Sequence, residues 1–396
     1  MTRTLLSLNA GSSSIKFGLY SLTSDGNLSR FARGQIEGIG TAPRLHAHSD
    51  QDGTVAERTW PDGAGLTHEA LLAALLEWID AHAGGAPLAG IGHRIVHGGT
   101  RFAAPVRVDP EVVAQLGMLC PLAPLHQPHN LAAVRAVEAI APHVPQVACF
   151  DTAFHHDMPA LATRFALPRS LHDEGIRRYG FHGLSYEFIA RRLLEIDPAL
   201  AAGRVIAAHL GNGASMCAMD NGRSIDTTMG FTALDGLMMG TRAGDLDPGV
   251  VLHLIQQKGM SAKAVETLLY KQAGLLGVSD ISSDMHVLED SEAPEAEDAM
   301  ALFAYRAGRE AGALASSLGG LDGIVFTAGI GEHDAAMRAR ICARLSWLGV
   351  EMDGAANAAH AAIISTPGSP VTVRIIPTDE ERMISLHTAA TLGLRG

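Results

Sequence analysis

The chain has 396 residues, 47% of them apolar and 18% charged, which is enough for two domains with sizeable cores and excludes a disordered or collagen-like polypeptide. Its 30 basic against 42 acidic residues leave a formal charge of −12, which argues against nucleic acid or an anionic membrane as a partner, so basic residues should matter singly. Cys120, Cys149, Cys217 and Cys342 are far apart with no CxxC pair, and read as buried small hydrophobes in a reducing, cytoplasmic setting; no signal-peptide pattern or 18-residue apolar span is expected.

Leu5 to Leu8 and Ile15 to Tyr20 read as an antiparallel hairpin around the turn Asn9-Ala10-Gly11-Ser12-Ser13-Ser14. Thr67 caps a helix with Leu71, Leu72, Leu75, Leu76 and Ile79 on one face, closed by Gly84-Gly85. Ser185 opens a second helix, carrying Phe188, Ile189, Leu193 and Leu194 up to Asp197-Pro198. Val205 to Asp220 then aligns without a gap on Leu5 to Tyr20, pairing Asn9 with His209 and Gly11 with Gly211 at an offset of half the chain. This repeat predicts two related domains, each opening as strand, glycine turn, strand. Asp247-Pro248 starts a helix, Pro294 to Leu318 is a long alanine-rich helix ending at Gly319-Gly320, Gly323 to Glu332 is a buried strand running into a glycine turn, and Asp379 begins a terminal helix. Strands and helices mixed in two similar halves imply an α/β protein with a cleft between its domains.

Three glycine turns follow strands, at Asn9 to Ser14, Gly211 to Ala214 and Gly329 to Gly331. Small residues let backbone N–H groups converge on a phosphate there, although none matches a Walker or Rossmann pattern and each is also compatible with an ordinary tight turn. Arg94, His126, Asp151, His182 and Arg242 sit in apolar or glycine-rich surroundings, where a charge is costly unless paired. Such residues are either structural ion pairs or site residues. His93/His97, His126/His129 and His155-His156 leave a metal site open, without HExxH or a cysteine set to support it. A metal-dependent hydrolase and a nucleotide-switched binding module therefore stand beside a phosphotransferase.

Nine segments in order carry a closer likeness: LNAGSSSIKF from Leu8, GHRIVHGG from Gly92, LAPLH from Leu122, FDTAFH from Phe150, RYGFHG from Arg178, HLGNGAS from His209, MMGTRAGDLDPG from Met238, FTAGIGE from Phe326 and PTDEE from Pro377. Over almost its whole length the sequence resembles the acetate kinase family, within the acetate and sugar kinase, heat-shock and actin superfamily. The resemblance implies two duplicated domains of the actin-like ATPase, or ribonuclease H-like, fold with an interdomain active-site cleft. Their expected bounds are 1–152 with a returning 383–396, and 153–382. It implies Mg²⁺-dependent, reversible transfer of the γ-phosphoryl group of ATP to acetate, with Mn²⁺ able to replace Mg²⁺, and a homodimer.

By the same resemblance, Asn9 and Glu380 hold the metal, Arg94 and Arg242 meet the carboxylate and the transferring phosphoryl group, and His182 donates to that group. Asp151 is an essential carboxylate, His126 lies beside the reaction centre, and Lys16 stands near the first phosphate turn without a set role. His209, Leu210, Gly211, Asn212 and Gly213, then Asp284, Met285 and His286, then Gly329, Ile330, Gly331, Glu332 and His333 would bind ATP or ADP. Val96, Leu125, Phe181 and Ala233 would line the pocket for the methyl group of the acid. Ala233 stands where the family usually has proline, His286 where it has arginine and His333 where it has asparagine. A wider acyl pocket that accepts propionate, and looser nucleotide discrimination, are the expectations that follow.

Overall fold

A computed structural model of the chain describes residues 3–394 except 12, 25, 51–52, 54, 62 and 83–86. Ser12 of the first glycine turn and the Gly84-Gly85 helix closure lie outside the described residues. The chain divides into two compact units, Met1–Ala153 with Asp379–Gly396, and Phe154–Thr378.

The first unit is built on strands β1 (Arg3–Ala10), β2 (Ser14–Leu22), β3 (Leu28–Glu37), β4 (Arg44–Ser49), β5 (Val55–Thr59), β6 (Leu88–Ile95), β7 (Val106–Arg107) and β8 (Gln146–Phe150). They form one sheet in the order β5-β4-β3-β2-β1-β6-β8-β7. β1 pairs antiparallel with β2 and parallel with β6, and β6 pairs parallel with β8. A strand covered by helices on both faces is apolar on both, and Leu5, Leu6 and Leu8 of β1 are accordingly buried. One face packs Leu6, Leu8, Phe17 and Leu19 against Leu71, Leu72, Leu75 and Ile79 of helix His68–His82 and Ala133, Ala136 and Val137 of helix Gln127–Ile140. Thr67 caps the first of these helices through its hydroxyl to the Ala70 N–H at 3.2 Å. The terminal helix Glu380–Thr391, capped by Asp379, packs against β1, β6 and β8. Its approach is close enough that a Cβ at Gly92 would collide with the Thr388 hydroxyl and with Ile384.

The second unit has strands β9 (Arg204–Leu210), β10 (Ala214–Asp220), β11 (Arg223–Thr227), β12 (Gly323–Thr327) and β13 (Thr372–Ile375), in the order β11-β10-β9-β12-β13. β9, β10 and β11 are antiparallel neighbours, while β12 runs parallel to both β9 and β13. Counted from each opening hairpin, this is the pairing of β3-β2-β1-β6-β8. The repeat of the two strand–turn–strand segments is therefore a repeat of sheet topology. Tyr186, Ile189 and Leu193 of helix Gly183–Ile196 pack on Val205, Ala207, Cys217 and Val325. The alanine-rich helix Pro294–Leu318 has proline in its first turn and Gly319 in the left-handed region at its end.

Two local expectations change. Helix Gly183–Ile196 begins two residues before Ser185, after His182 in the left-handed region, which frees the Ser185 hydroxyl for other partners. The Gly329–Gly331 turn is the body of a short helix, Ala328–His333, entered through a left-handed Ala328. Cys149, Cys217 and Cys342 are buried free thiols and Cys120 is half-buried. Among the described residues, no helix is long and apolar enough to cross a membrane.

Candidate active site

β1, β6 and β8 are adjacent and parallel, so their carboxyl ends lie side by side, the edge at which open α/β sheets bind ligands. Asn9 is near the end of β1, Arg94 near the end of β6, and Asp151 follows β8 directly. Arg94 donates through Nε to both Asp151 oxygens at 3.0 Å, through Nη2 to Asp151 Oδ2, and through Nη1 to Asn9 Oδ1 at 3.1 Å. Asp151 is 1% exposed, and this forked contact takes both of its oxygens. Burial alone would weaken the hold of Arg94 on its proton, but Asp151 and Glu380 reverse that and keep the guanidinium charged. Glu380, in the first turn of the terminal helix, has its carboxyl pushed up to about 7 by burial, against the pull of Arg94 and with Asp151 and Glu381 adding to the rise. Lys16, exposed on β2, is the cross-strand partner of Asn9. Val96 is buried just after β6, and Leu125 and His126, half-buried, lead into helix Gln127–Ile140.

His68 was not foreseen in this unit. Its Nε2 lies 2.9 Å from the Gly11 carbonyl, which can only accept, so that nitrogen carries the proton and ties the first glycine turn to helix His68–His82. Its ring packs on His129, 5.4 Å between centroids.

In the second unit the left-handed turn at His182 and the β9–β10 turn form another group. His182 Nδ1 lies 2.8 Å from Ser215 Oγ, which also bonds the buried Tyr186 hydroxyl. A side chain at Gly213 would stand 3.2 Å from Arg242 Nη2 and 3.5 Å from His182 Nε2. The guanidinium and the imidazole Nε2 thus both lie close to this turn, where glycine carries no side chain to crowd them. Arg242 is held by Nη1 donating to the Ala233 carbonyl at 2.6 Å. The His182 ring stacks on His209 at 4.1 Å, and His209 Nδ1 meets Ser185 Oγ at 2.9 Å, which bonds Thr378 Oγ1 in turn. Glu332 Oε1 accepts from the N–H groups of Ala328 and Thr378, at 2.8 and 3.1 Å, supporting the left-handed Ala328. Phe181 is buried, and its carbonyl accepts from His155 Nε2 at 2.9 Å.

Gly211, Asn212, Asp284, Met285, His286, Gly329, Ile330 and His333 line one cavity of about 370 Å³, together with Ser283 and Asp334. Three segments that are remote in sequence meet there. His209, Leu210, Gly213, Gly331 and Glu332 stand outside that described lining. Asp284 caps the short helix Met285–Glu289, and the exposed His286 and His333 rings face Glu289 and Glu332 at 3.3 and 3.8 Å. Asp334 caps helix Ala335–Ala343 through Oδ1, and burial, with the Asp334 carboxylate, raises the neighbouring Glu289 carboxyl. No short motif marks Ser283 or Asp334, but each adjoins in sequence a residue expected to bind the nucleotide, Asp284 and His333.

The other histidine pairs are occupied differently. Burial pushes His93, His97 and His155 down to about 4. His97 Nδ1 accepts from the Gly99 N–H at 2.9 Å, and His155 Nδ1 lies 2.8 Å from the Ser224 hydroxyl. Among the described residues, no group of three or more His, Cys, Asp or Glu side chains is arranged to hold a metal by itself.

A profile of the acetokinase family matches residues 4–386. An acetate kinase from Rhodopseudomonas palustris is 52% identical over 391 residues, covering 98% of each chain. Among solved structures, Porphyromonas gingivalis acetate kinase superimposes with a TM-score of 0.86 at 37% identity, covering 98% of this chain and all of that one. A propionate kinase from Francisella tularensis gives 0.91 at 33% identity, covering 98% and 99%.

Proposed function

The chain belongs to the acetokinase family, and from that premise we propose that it reversibly transfers the γ-phosphoryl group of ATP to acetate, giving acetyl phosphate and ADP, with propionate as a secondary substrate. The observation that carries this reading is the Arg94–Asp151–Asn9 group, with the half-buried Glu380 acting on Arg94, at the carboxyl ends of three adjacent parallel strands. A carboxylate approaching a phosphoryl group is an anion meeting an anion, and unit charges at about 4 Å repel by roughly 4 kcal/mol at an effective dielectric near 20. Fixed positive charge has to offset this.

Arg94 supplies one such charge, and the Asp151 fork sets its orientation. The nucleophile is already ionised at neutral pH, so Asp151 has no proton to take. It serves by holding the guanidinium. Arg242, anchored on the Ala233 carbonyl, and His182, with Nδ1 on Ser215, stand beside the Gly213 turn and stabilise charge on the phosphoryl oxygens as it develops. The cavity bounded by Gly211, Asp284, Gly329 and Asp334 takes the nucleoside.

Asn9, Asp151 and Glu380 bring oxygen atoms to this end of the sheet, with burial, Asp151 and Glu381 raising the Glu380 carboxyl and Arg94 and Lys16 lowering it. An all-oxygen donor set fits a hard divalent cation held by few protein oxygens. Asn9 and Glu380 would hold it, Mg²⁺ or Mn²⁺. Bound there, it would neutralise phosphate charge. Val96, Leu125, Phe181 and Ala233 are the residues proposed to meet the acyl group, alanine in place of a proline ring favouring one more methylene. A cytoplasmic homodimer completes the proposal.

Trapping the acyl phosphate with hydroxylamine in the presence of ATP tests the reading across acetate, propionate, butyrate and glycerol. Acetate and propionate should react with efficiencies within about tenfold of each other, since a buried methylene is worth about 0.8 kcal/mol. Butyrate should react poorly and glycerol not at all. ATP consumption that rises with glycerol but not with acetate would assign the chain another acceptor.

A further inference from the structure

The parallel ladder between β1 and β6 runs from Thr4–Leu88 to Leu8–His93 and stops there. Asn9 and Arg94, which must meet, sit just beyond its end. Asn130, in the second turn of helix Gln127–Ile140 and 2% exposed, continues the connection. Its Oδ1 accepts from the Val96 N–H at 3.0 Å and its Nδ2 donates to the Ala10 carbonyl at 2.7 Å. A backbone N–H can only donate and a carbonyl can only accept, so these two partners fix which way the amide points. One turn earlier, Gln127 clasps His97 in the same manner, Oε1 on its N–H at 3.1 Å and Nε2 on its carbonyl at 3.0 Å.

We infer that Asn130 is a positioning residue for the transfer reaction: its amide stands in for a ladder rung and sets the spacing between Asn9 at the end of β1 and Arg94 at the end of β6. The inference rests on the proposed roles of Asn9 and Arg94. Ala10 adjoins Asn9, and Val96 lies two residues past Arg94, so a shift at either tie is passed directly to the Arg94–Asn9 contact at 3.1 Å. A misplacement of about 1 Å at a reacting centre can cost on the order of 10²-fold in rate. Asp at this position keeps the acceptor for Val96 but turns a second acceptor on the Ala10 carbonyl, so it breaks only one tie.

The test is steady-state kinetics on the full chain with Asn130→Ala, Asn130→Asp, Asn9→Ala and the double variant Asn9→Ala/Asn130→Ala, alongside ADP binding by calorimetry. Asn130→Ser, small and still polar, takes the place of the alanine variant if that one does not fold. The expected result is a kcat at least about tenfold lower for Asn130→Ala and Asn130→Asp, with ADP affinity within about threefold of the parent. The double variant should be no more than about twofold worse than Asn9→Ala alone, because both act through one group. A purely structural residue would lower the melting temperature and leave kcat per folded molecule unchanged, and that result overturns the inference. So do losses that multiply in the double variant. If Asn9→Ala itself forms acetyl phosphate at the parent rate, the proposed site fails and the inference falls with it, whereas an impaired Asn9→Ala beside an unimpaired Asn130→Ala rejects the positioning role alone.

Discussion

At the scale of single residues, the proposed chemistry depends on two arginines held in different ways. Arg94 is locked by a carboxylate fork, while Arg242 donates to the Ala233 backbone carbonyl with Nη2 beside the Gly213 turn. Replacing Arg242 with alanine removes a preorganised charge without opening the core, so kcat should fall by about 10²-fold or more while ADP affinity changes little. A loss explained wholly by weaker nucleotide binding would remove Arg242 from the transition state. His93, His97 and His155 allow a second prediction. Each is neutral in the folded chain, with burial pushing it down to about 4, whereas the unfolded value is near 6.5. The unfolded state then binds more protons between those values. Stability should be full above about pH 6.5 and decline as the pH falls toward 4, by about 1.4 kcal/mol per pH unit for each residue that stays neutral. Urea unfolding at pH 7.5 and 5.5 measures this, and equal stability at the two would show that these rings are charged or exposed in the folded chain.

At the scale of elements, the terminal helix Glu380–Thr391 brings Glu380 to the strand ends only because β6 is bare where the helix crosses it. Gly92→Ala would put a methyl group against Thr388 and Ile384. Overpacking of this kind costs about 1–3 kcal/mol. The variant should lose stability of that order in urea unfolding and also lose activity, since the helix carries Glu380; full stability would mean that the helix shifts freely. Element boundaries governed by local chemistry were legible in the sequence. Thr67, Asp247-Pro248, Pro294 with Gly319, and Asp379 all mark helix ends where the structure has them. The helix after His182 was misplaced because Ser185 looks like a cap, whereas its hydroxyl serves His209 and Thr378. The bend at Ala328 was hidden because its support comes from Glu332 and from Thr378, far along the chain.

At the scale of the whole molecule, one strand order occurs in both units, and each opening hairpin turns at the carboxyl end of its central strand. The sequence revealed this duplication because strand, turn and strand are contiguous, even at low identity. It did not reveal the β4–β5 extension of the first sheet, nor the contribution of Ser283 and Asp334 to the cavity that His286 and His333 share. These depend on contacts that no single segment encodes. The central claim is that the acceptor of the phosphoryl group is a short carboxylate, and phosphorus NMR follows that transfer directly. With ATP, Mg²⁺ and acetate, an acetyl phosphate resonance should grow in step with ADP, and without acetate ATP should persist. Release of ADP and inorganic phosphate at the same rate with or without acetate would contradict the account.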